Sequence, residues 1–309
     1  MTPVQLSIVQ MSSAHLQPSA NIDQIEAWVA EESAHGADFV VFPELATTGY
    51  IEPVMPSEQF SPGVTGDNNW PDFLAHFTGL AETIPGPSTD RLTGVARHHG
   101  VRIAVGMLEA VPRLTGVIAN TVVVIGPHGV IGLQRKLHMP WNEKHVFMPG
   151  NELNIIDLLG LRVGINVCYD AYFPEQTRAL TLRGAELVIS CFTGPKRSGS
   201  ESGIPVDRAS VLARTRAMEN SIFFAAVNRV GQQGPYFFIG NSAIAGPDGS
   251  IIASTESCEP QAVRAELNLK EVTRARLGLS LLKDRRPELY GELTRNWDAA
   301  ATAVTTNSS

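Results

Sequence analysis

The feature that most constrains this fold is a repeat. Residues 37–42 read ADFVVF and residues 185–190 read AELVIS, two apolar strand patterns with the same opening. Residues 120–132 read NTVVVIGPHGVIG and residues 241–253 read NSAIAGPDGSIIA. Each places a Gly-Pro-x-Gly turn between two apolar runs, which is a hairpin signal. The elements around these landmarks also recur in one order. The first half gives a strand at 4–11, a helix at 21–35, a strand at 37–42, a helix at 88–99 and a strand at 101–108, then the hairpin. The helix at 21–35 rests on Ile22, Ile25, Trp28 and Val29, and Gly36 stops it. The second half gives a strand at 161–167, a helix at 173–183, a strand at 185–190, a helix at 206–219 and a strand at 222–227, then its own hairpin.

A period this long, present twice, means two similar halves (about 1–135 and 161–255) rather than a solenoid. Each half builds a mixed sheet whose helices cover one face. The two sheets can bury their remaining faces against each other. The expected fold is therefore α/β, a four-layer α–β–β–α sandwich, as a single domain over 1–297. Its C-terminal arm starts at about 266 and is extended or short-helical. Residues 298–309, small and polar, are expected to be a disordered tail.

Composition narrows the function. The 309 residues carry a net charge of −7, which offers nothing to nucleic acid or an anionic membrane. No apolar run reaches the length of a membrane helix, and residues 1–11 lack the pattern of a signal peptide. Three cysteines, Cys168, Cys191 and Cys258, are too few and too odd for a disulfide frame, so a reducing, cytoplasmic setting is expected. His98 and His99 are adjacent, so their rings diverge and a metal site is not expected there. The glycines at 126–132 belong to the hairpin, and no phosphate loop remains.

Chemistry concentrates at strand ends. Cys168 follows the strand 161–167 and precedes a helix that Pro174 can open. In open α/β sheets that edge holds the chemistry. A thiol there is either a nucleophile, near backbone N–H groups that favour the thiolate, or a small buried hydrophobe. Glu44 ends the strand 37–42, where a carboxylate needs a partner. Lys136 follows the first hairpin. Glu143 lies seven residues on, in the aromatic-rich loop WNEKHVFMPG. Together a thiol, a carboxylate and an ammonium can attack an sp or sp² carbon, carry the thiol proton and stabilise an oxyanion.

Three segments, FPELATTGY around Glu44, RKLHMP around Lys136 and NVCYDAYFPE around Cys168, resemble the signature segments of the nitrilase superfamily of carbon–nitrogen hydrolases. The resemblance runs from about residue 4 to 255, and RRPELY at 285–290 resembles a tail segment of members. It implies the α–β–β–α fold, a Glu-Lys-Cys triad, and neither metal nor organic cofactor. It implies Glu44 as general base, Lys136 as oxyanion stabiliser and Cys168 as nucleophile. Glu143 matches a second glutamate that positions the lysine and the substrate, and the Tyr169 N–H would complete the oxyanion site. It also implies dimers that can assemble further, with tails packed across the dimer interface.

One departure bears on substrate. True nitrilases usually read Cys-Trp-Glu, whereas this chain reads Cys168-Tyr169-Asp170. That shifts the expectation to a small-molecule amide or N-carbamoyl (ureido) amine, with a nitrile as the alternative. Tyr50, Trp141, Tyr169, Tyr172, Phe192 and Thr193 are expected to wall the pocket. Lys196 and Arg197 either meet a substrate carboxylate or form a solvated loop pair. A non-catalytic interaction protein and an acyltransferase on the same fold are the other readings. An intact Glu44, Lys136 and Cys168 argues against the first, and the lack of spanning helices against the membrane-bound form of the second.

Overall fold

The computed structural model describes residues 2–50, 70–197, 207–234 and 236–295. The first half runs β1 (Val4–Gln10), α1 (Pro18–Ala34), β2 (Phe39–Val41), α2 (Trp70–Gly79), α3 (Pro87–His99), β3 (Arg102–Ala110), β4 (Ile118–Gly126) and β5 (Gly129–Arg135). The second runs β6 (Ile155–Leu158), β7 (Leu161–Val167), α4 (Pro174–Leu182), β8 (Leu187–Phe192), β9 (Pro195–Arg197), α5 (Arg208–Asn220) and β10 (Phe223–Asn228). It continues with β11 (Val230–Gln233), β12 (Tyr236–Ile239), β13 (Ala243–Ala245), β14 (Ile251–Ser254), β15 (Gln261–Leu267) and α6 (Leu269–Gly278).

The repeat is written into the topology. One sheet has the order β15-β1-β2-β3-β4-β5 and the other β14-β13-β10-β8-β7-β6. β1, β2 and β3 run parallel, and so do β7, β8 and β10; in each sheet the hairpin strands then follow antiparallel. β6 pairs antiparallel with β7 as β15 does with β1, so each sheet acquires its sixth strand at the same place. Both turns fall where the glycines stand: Gly126 pairs with Gly129, and Gly246 to Gly249 close the second hairpin.

Alternation along these strands builds three apolar layers. Ile8, Val41, Val122 and Val124 of one sheet meet Ile165, Ile189, Ala225 and Ile244 of the other in a core between the sheets. The opposite faces of each sheet pack on helices. Ile22, Ile25 and Val29 of α1 and Leu92 and Ala96 of α3 cover the first sheet. Leu180 of α4 and Ala209, Ala213 and Ala217 of α5 cover the second. Each buried large aliphatic side chain contributes roughly 1.5–3 kcal/mol. The α–β–β–α sandwich is thus the observed architecture.

The differences from expectation lie at short elements. The strand expected at 185–190 is shifted two residues on, so Cys191 falls inside β8 and is fully buried in the core between the sheets. Glu266 lies within β15, which keeps seven paired positions with β1, and the chain leaves the sheet after Leu267. β6, α2 and the small sheet β11-β12-β9 have no counterpart in the sequence reading. The sequence also reads 57–69, rich in glycine, proline, serine and aspartate, as a surface excursion near the site mouth; that stretch lies outside the described residues, as does the tail 298–309. Among the described residues no helix is long and apolar enough to cross a membrane.

Candidate active site

Glu44, Lys136 and Cys168 each leave the end of a strand, and the packing of the two sheets brings those ends together. Glu44 follows β2 through Phe42 and Pro43, and the next residue, Leu45, turns the chain at φ 47°. Gly106 of β3 lies directly beneath: a Cβ there would sit 2.3 Å from the Leu45 nitrogen and 2.5 Å from the Pro43 oxygen. Only a glycine permits that approach. Lys136 follows β5, its amide bonded to the Asn120 carbonyl at 2.8 Å. Cys168 follows β7 at φ 52°, a left-handed position that costs a non-glycine residue energy and marks a constrained turn. A 3₁₀ turn (Cys168–Tyr172) then leads into α4.

The Lys136 ammonium is fully buried between two carboxylates. Its Nζ lies 2.6 Å from Glu44 Oε1 and 2.8 Å from Glu143 Oε2. Asn120 Nδ2 donates to the same Glu44 oxygen at 2.7 Å. The second oxygen, Glu44 Oε2, is buried without a hydrogen-bond partner. The Thr193 hydroxyl donates to the Glu44 carbonyl at 2.9 Å, and the Thr193 backbone bonds the Cys168 sulfur. Glu143 also accepts a hydrogen bond from the Tyr50 hydroxyl.

These neighbours set the protonation of the site. Burial pulls the Lys136 ammonium down, but Glu44, Cys168 and Glu143 outweigh it and hold the group charged. Burial and the Glu44 charge push Glu143 up to about 7, against the pull of Lys136. Burial, then Glu44, push the Cys168 thiol well above the usual thiol range, despite Lys136. The Thr193 backbone favours the thiolate, as expected of this turn, but is outweighed. Desolvation beside two carboxylates wins, so the thiol keeps its proton until a base takes it.

Two sets of residues support this centre that the sequence reading did not single out in these roles. Asp170 is fully buried and accepts from the amides of His138 (2.9 Å), Val167 (3.0 Å) and Leu137 (3.2 Å), and pairs with His138 Nδ1 at 2.9 Å. One carboxylate thus fastens the segment after Lys136 to the turn holding Cys168. From α5, Arg216 donates to the carbonyls of Ala171 (3.0 Å) and Tyr172 (3.4 Å), clamping the same turn. Behind Glu143 runs a buried chain. Arg229 Nη1 donates to Gln233 Oε1 at 2.7 Å, and Gln233 Nε2 to the Tyr50 carbonyl at 2.6 Å. Asn120, a polar residue opening an apolar strand, was the one such signal visible in the sequence.

The expected pocket wall is distributed unevenly. Tyr50 is buried against Glu143, and Thr193 against Glu44 and Cys168. Tyr169 and Tyr172 lie on the turn after Cys168, ring centroids 5.7 Å apart. Phe192 belongs to the cluster on which Cys168 packs. Trp141 stands at the surface, 66% exposed. Lys196 and Arg197 fall on β9, and their side chains lie outside the described set. Among the described residues, the one trio of ligand-type side chains close enough to share a metal is Glu31, Glu32 and His35 on α1. Glu32 there is already held by Arg264 and Ser7.

A buried carboxylate–ammonium–carboxylate array beside a cysteine thiol, on an α–β–β–α sandwich, defines a class of cysteine-containing hydrolytic site. The chain belongs to the carbon–nitrogen hydrolase family, the nitrilase superfamily: the family's model matches residues 5–277. It is an enzyme that hydrolyses carbon–nitrogen bonds. It is 32% identical to a nitrilase of Pyrococcus abyssi over 93% of this chain and 99% of that protein. It is 29% identical to an (R)-stereoselective amidase of Pseudomonas sp., over 96% of each. Among solved structures it resembles a Glu-to-Gln variant of the amidase from Nesterenkonia sp. AN1, with a TM-score of 0.72, 26% identity and coverage of 94% and 97%. That variant carries the acetamide moiety of fluoroacetamide added covalently at its active-site cysteine.

Proposed function

We propose that the protein hydrolyses small-molecule amides through a thioester on Cys168, with Glu44, Lys136 and Cys168 as catalytic residues and Glu143 as the positioning carboxylate. The observation that carries this reading is the Lys136 ammonium held between Glu44 and Glu143, with one Glu44 oxygen left unbonded in a buried site that also holds Cys168. Glu44 takes the Cys168 proton as the sulfur attacks the amide carbonyl carbon. The negative charge that develops on the carbonyl oxygen is met by the Lys136 ammonium and the Tyr169 N–H. As the tetrahedral intermediate collapses, the carbon–nitrogen bond breaks and the leaving nitrogen takes the proton from Glu44. Ammonia or an amine departs and the thioester remains. Glu44 then accepts a proton from water, whose oxygen attacks the thioester; acid forms and the thiol is restored.

The high resting position of the thiol suits this scheme, because proton removal is coupled to attack rather than completed before it. Amide hydrolysis is favoured over nitrile hydrolysis because the turn reads Cys168-Tyr169-Asp170 and because the relatives include amidases. Ammonia release across a matched panel of primary amides, ureido compounds and nitriles tests the reading. Amides are expected to be turned over fastest. Turnover of nitriles alone would replace the reading with the nitrilase one, and turnover of nothing, with the fold intact, would favour a non-catalytic role. Working in a cytoplasmic setting as a homodimer or larger homo-oligomer is part of the same proposal.

A further inference from the structure

The charge of Lys136 is already balanced by two carboxylates, so the centre has no net positive charge to offer an anionic substrate. A second cation nevertheless stands beside it. Arg208, the first residue of α5, holds its guanidinium carbon 5.8 Å from the centroid of the Tyr172 ring. Its Nη2 lies 2.3 Å from where a Cβ on Gly194 would sit, so the guanidinium lies close against the Gly194 backbone. Gly194 follows Thr193, whose backbone bonds the Cys168 sulfur, and the Tyr172 hydroxyl is close enough to Cys168 to feel its charge. Both surfaces that Arg208 touches therefore flank the nucleophile.

Among the described residues no carboxylate pairs with Arg208. Its chain neighbour Asp207 is exposed and makes no ion pair with it. A planar fork of donors that lies near the Tyr172 ring, shares one hydrogen bond with the Tyr172 hydroxyl and has no carboxylate partner among the described residues fits a substrate carboxylate. With Glu44 and Glu143 against Lys136, the centre carries up to one excess negative charge, which repels an anionic substrate unless a cation such as Arg208 offsets it.

We infer that Arg208 is a specificity residue that binds a carboxylate of the substrate, so that the preferred amide carries an acidic group a few bonds from its scissile carbonyl. This rests on the amide-hydrolase reading. The acid can belong to the acyl part, as in a monoamide of a dicarboxylic acid, or to the leaving part, as in a ureido acid.

Steady-state kinetics on matched pairs test it: succinamic acid against butanamide, and N-carbamoyl-β-alanine against propylurea, for the wild type, Arg208→Gln and Arg208→Lys. The wild type is expected to prefer the charged member of one pair by about tenfold or more in kcat/KM, and the pair that shows it tells which part carries the acid. Arg208→Gln should remove that preference, mostly through KM, while changing the neutral substrate by no more than about threefold. Arg208→Lys should restore part of it, since charge returns without the fork. Equal losses on both members would assign Arg208 to support of the Tyr172 turn and overturn the inference. Good turnover of the neutral amides with no preference for charge would overturn it while leaving amide hydrolysis standing. No ammonia from any compound would overturn both.

Discussion

At the residue scale the site is a compromise among groups that burial forces together. Two glutamates share one lysine, and Glu143 sits up at about 7 because burial and Glu44 oppose its ionisation more than Lys136 favours it. This has a consequence for stability. A carboxyl group whose folded value lies above its unfolded value binds more protons in the native state. Stability is then lost as pH rises from about 4.5 toward 7, by up to roughly 3 kcal/mol. Glu143→Gln removes the titrating group and keeps a hydrogen-bond acceptor for Tyr50. Thermal unfolding should therefore show the variant gaining on the wild type between pH 5 and pH 8, with activity reduced at every pH. A gap that stays constant with pH would show that Glu143 ionises in the fold as easily as in the open chain. Cys168→Ala should abolish turnover with the fold intact. Cys258 is exposed and its replacement by Ser should leave turnover unchanged, whereas Cys191→Ser should cost about 1–3 kcal/mol by placing a hydroxyl in the core between the sheets.

At the element scale the positions of Lys136 and Cys168 depend on connections between strand ends. Asp170 makes the main one, with donors from Leu137, His138 and Val167. Asp170→Asn leaves buried donors short of acceptors, which costs about 1–3 kcal/mol. It should also lower kcat by roughly tenfold or more with little change in KM, because spacing rather than substrate contact is disturbed. A variant that loses stability but keeps kcat would make Asp170 a structural residue only. The long elements were legible because their signals are strong: period-2 apolar runs for the strands, the Ile22, Ile25 and Val29 stripe for α1, and glycines at both hairpins. The grouping of the candidate residues Glu44, Lys136 and Cys168 was legible because all three stand at strand ends, where a polar group in an apolar context needs a reason. What was not legible has a physical cause too. β11 and β12 mix glycine and glutamine with aromatics and show no period, and they are strands only because they pair with each other and with β9. β6 has four residues and is recruited by the edge of β7. The role of Asp170 lies in backbone donors 32 and 33 residues away, which no local pattern announces.

At the scale of the whole molecule, neither half holds the centre alone. Glu44 and Lys136 come from the first half, Cys168 from the second, and Glu143 from the segment joining them. Packing of the two sheets assembles the chemistry, so a change that separates the halves should silence activity before it unfolds either. The surface points to association as well. Leu277, Leu279, Leu289 and Leu293 of the C-terminal segment are 61–80% exposed, an apolar display that a lone chain in water leaves uncovered. Light scattering at micromolar concentration should return a dimer or a multiple of it; a monomer would contradict the proposed assembly. The central claim is that Glu44 takes the proton of Cys168 as the thioester forms. Rapid-quench mass spectrometry of the intact protein with an amide substrate, followed by peptide mapping, tests it most directly. The account predicts an acyl increment on Cys168 in the wild type and none in Glu44→Gln, because Glu143 is committed to Lys136 and Tyr50 while Glu44 keeps an unbonded oxygen. Formation of the acyl-enzyme at the wild-type rate in Glu44→Gln, stalled only at hydrolysis, would contradict it and transfer the role of base to another group, with Glu143 first in line.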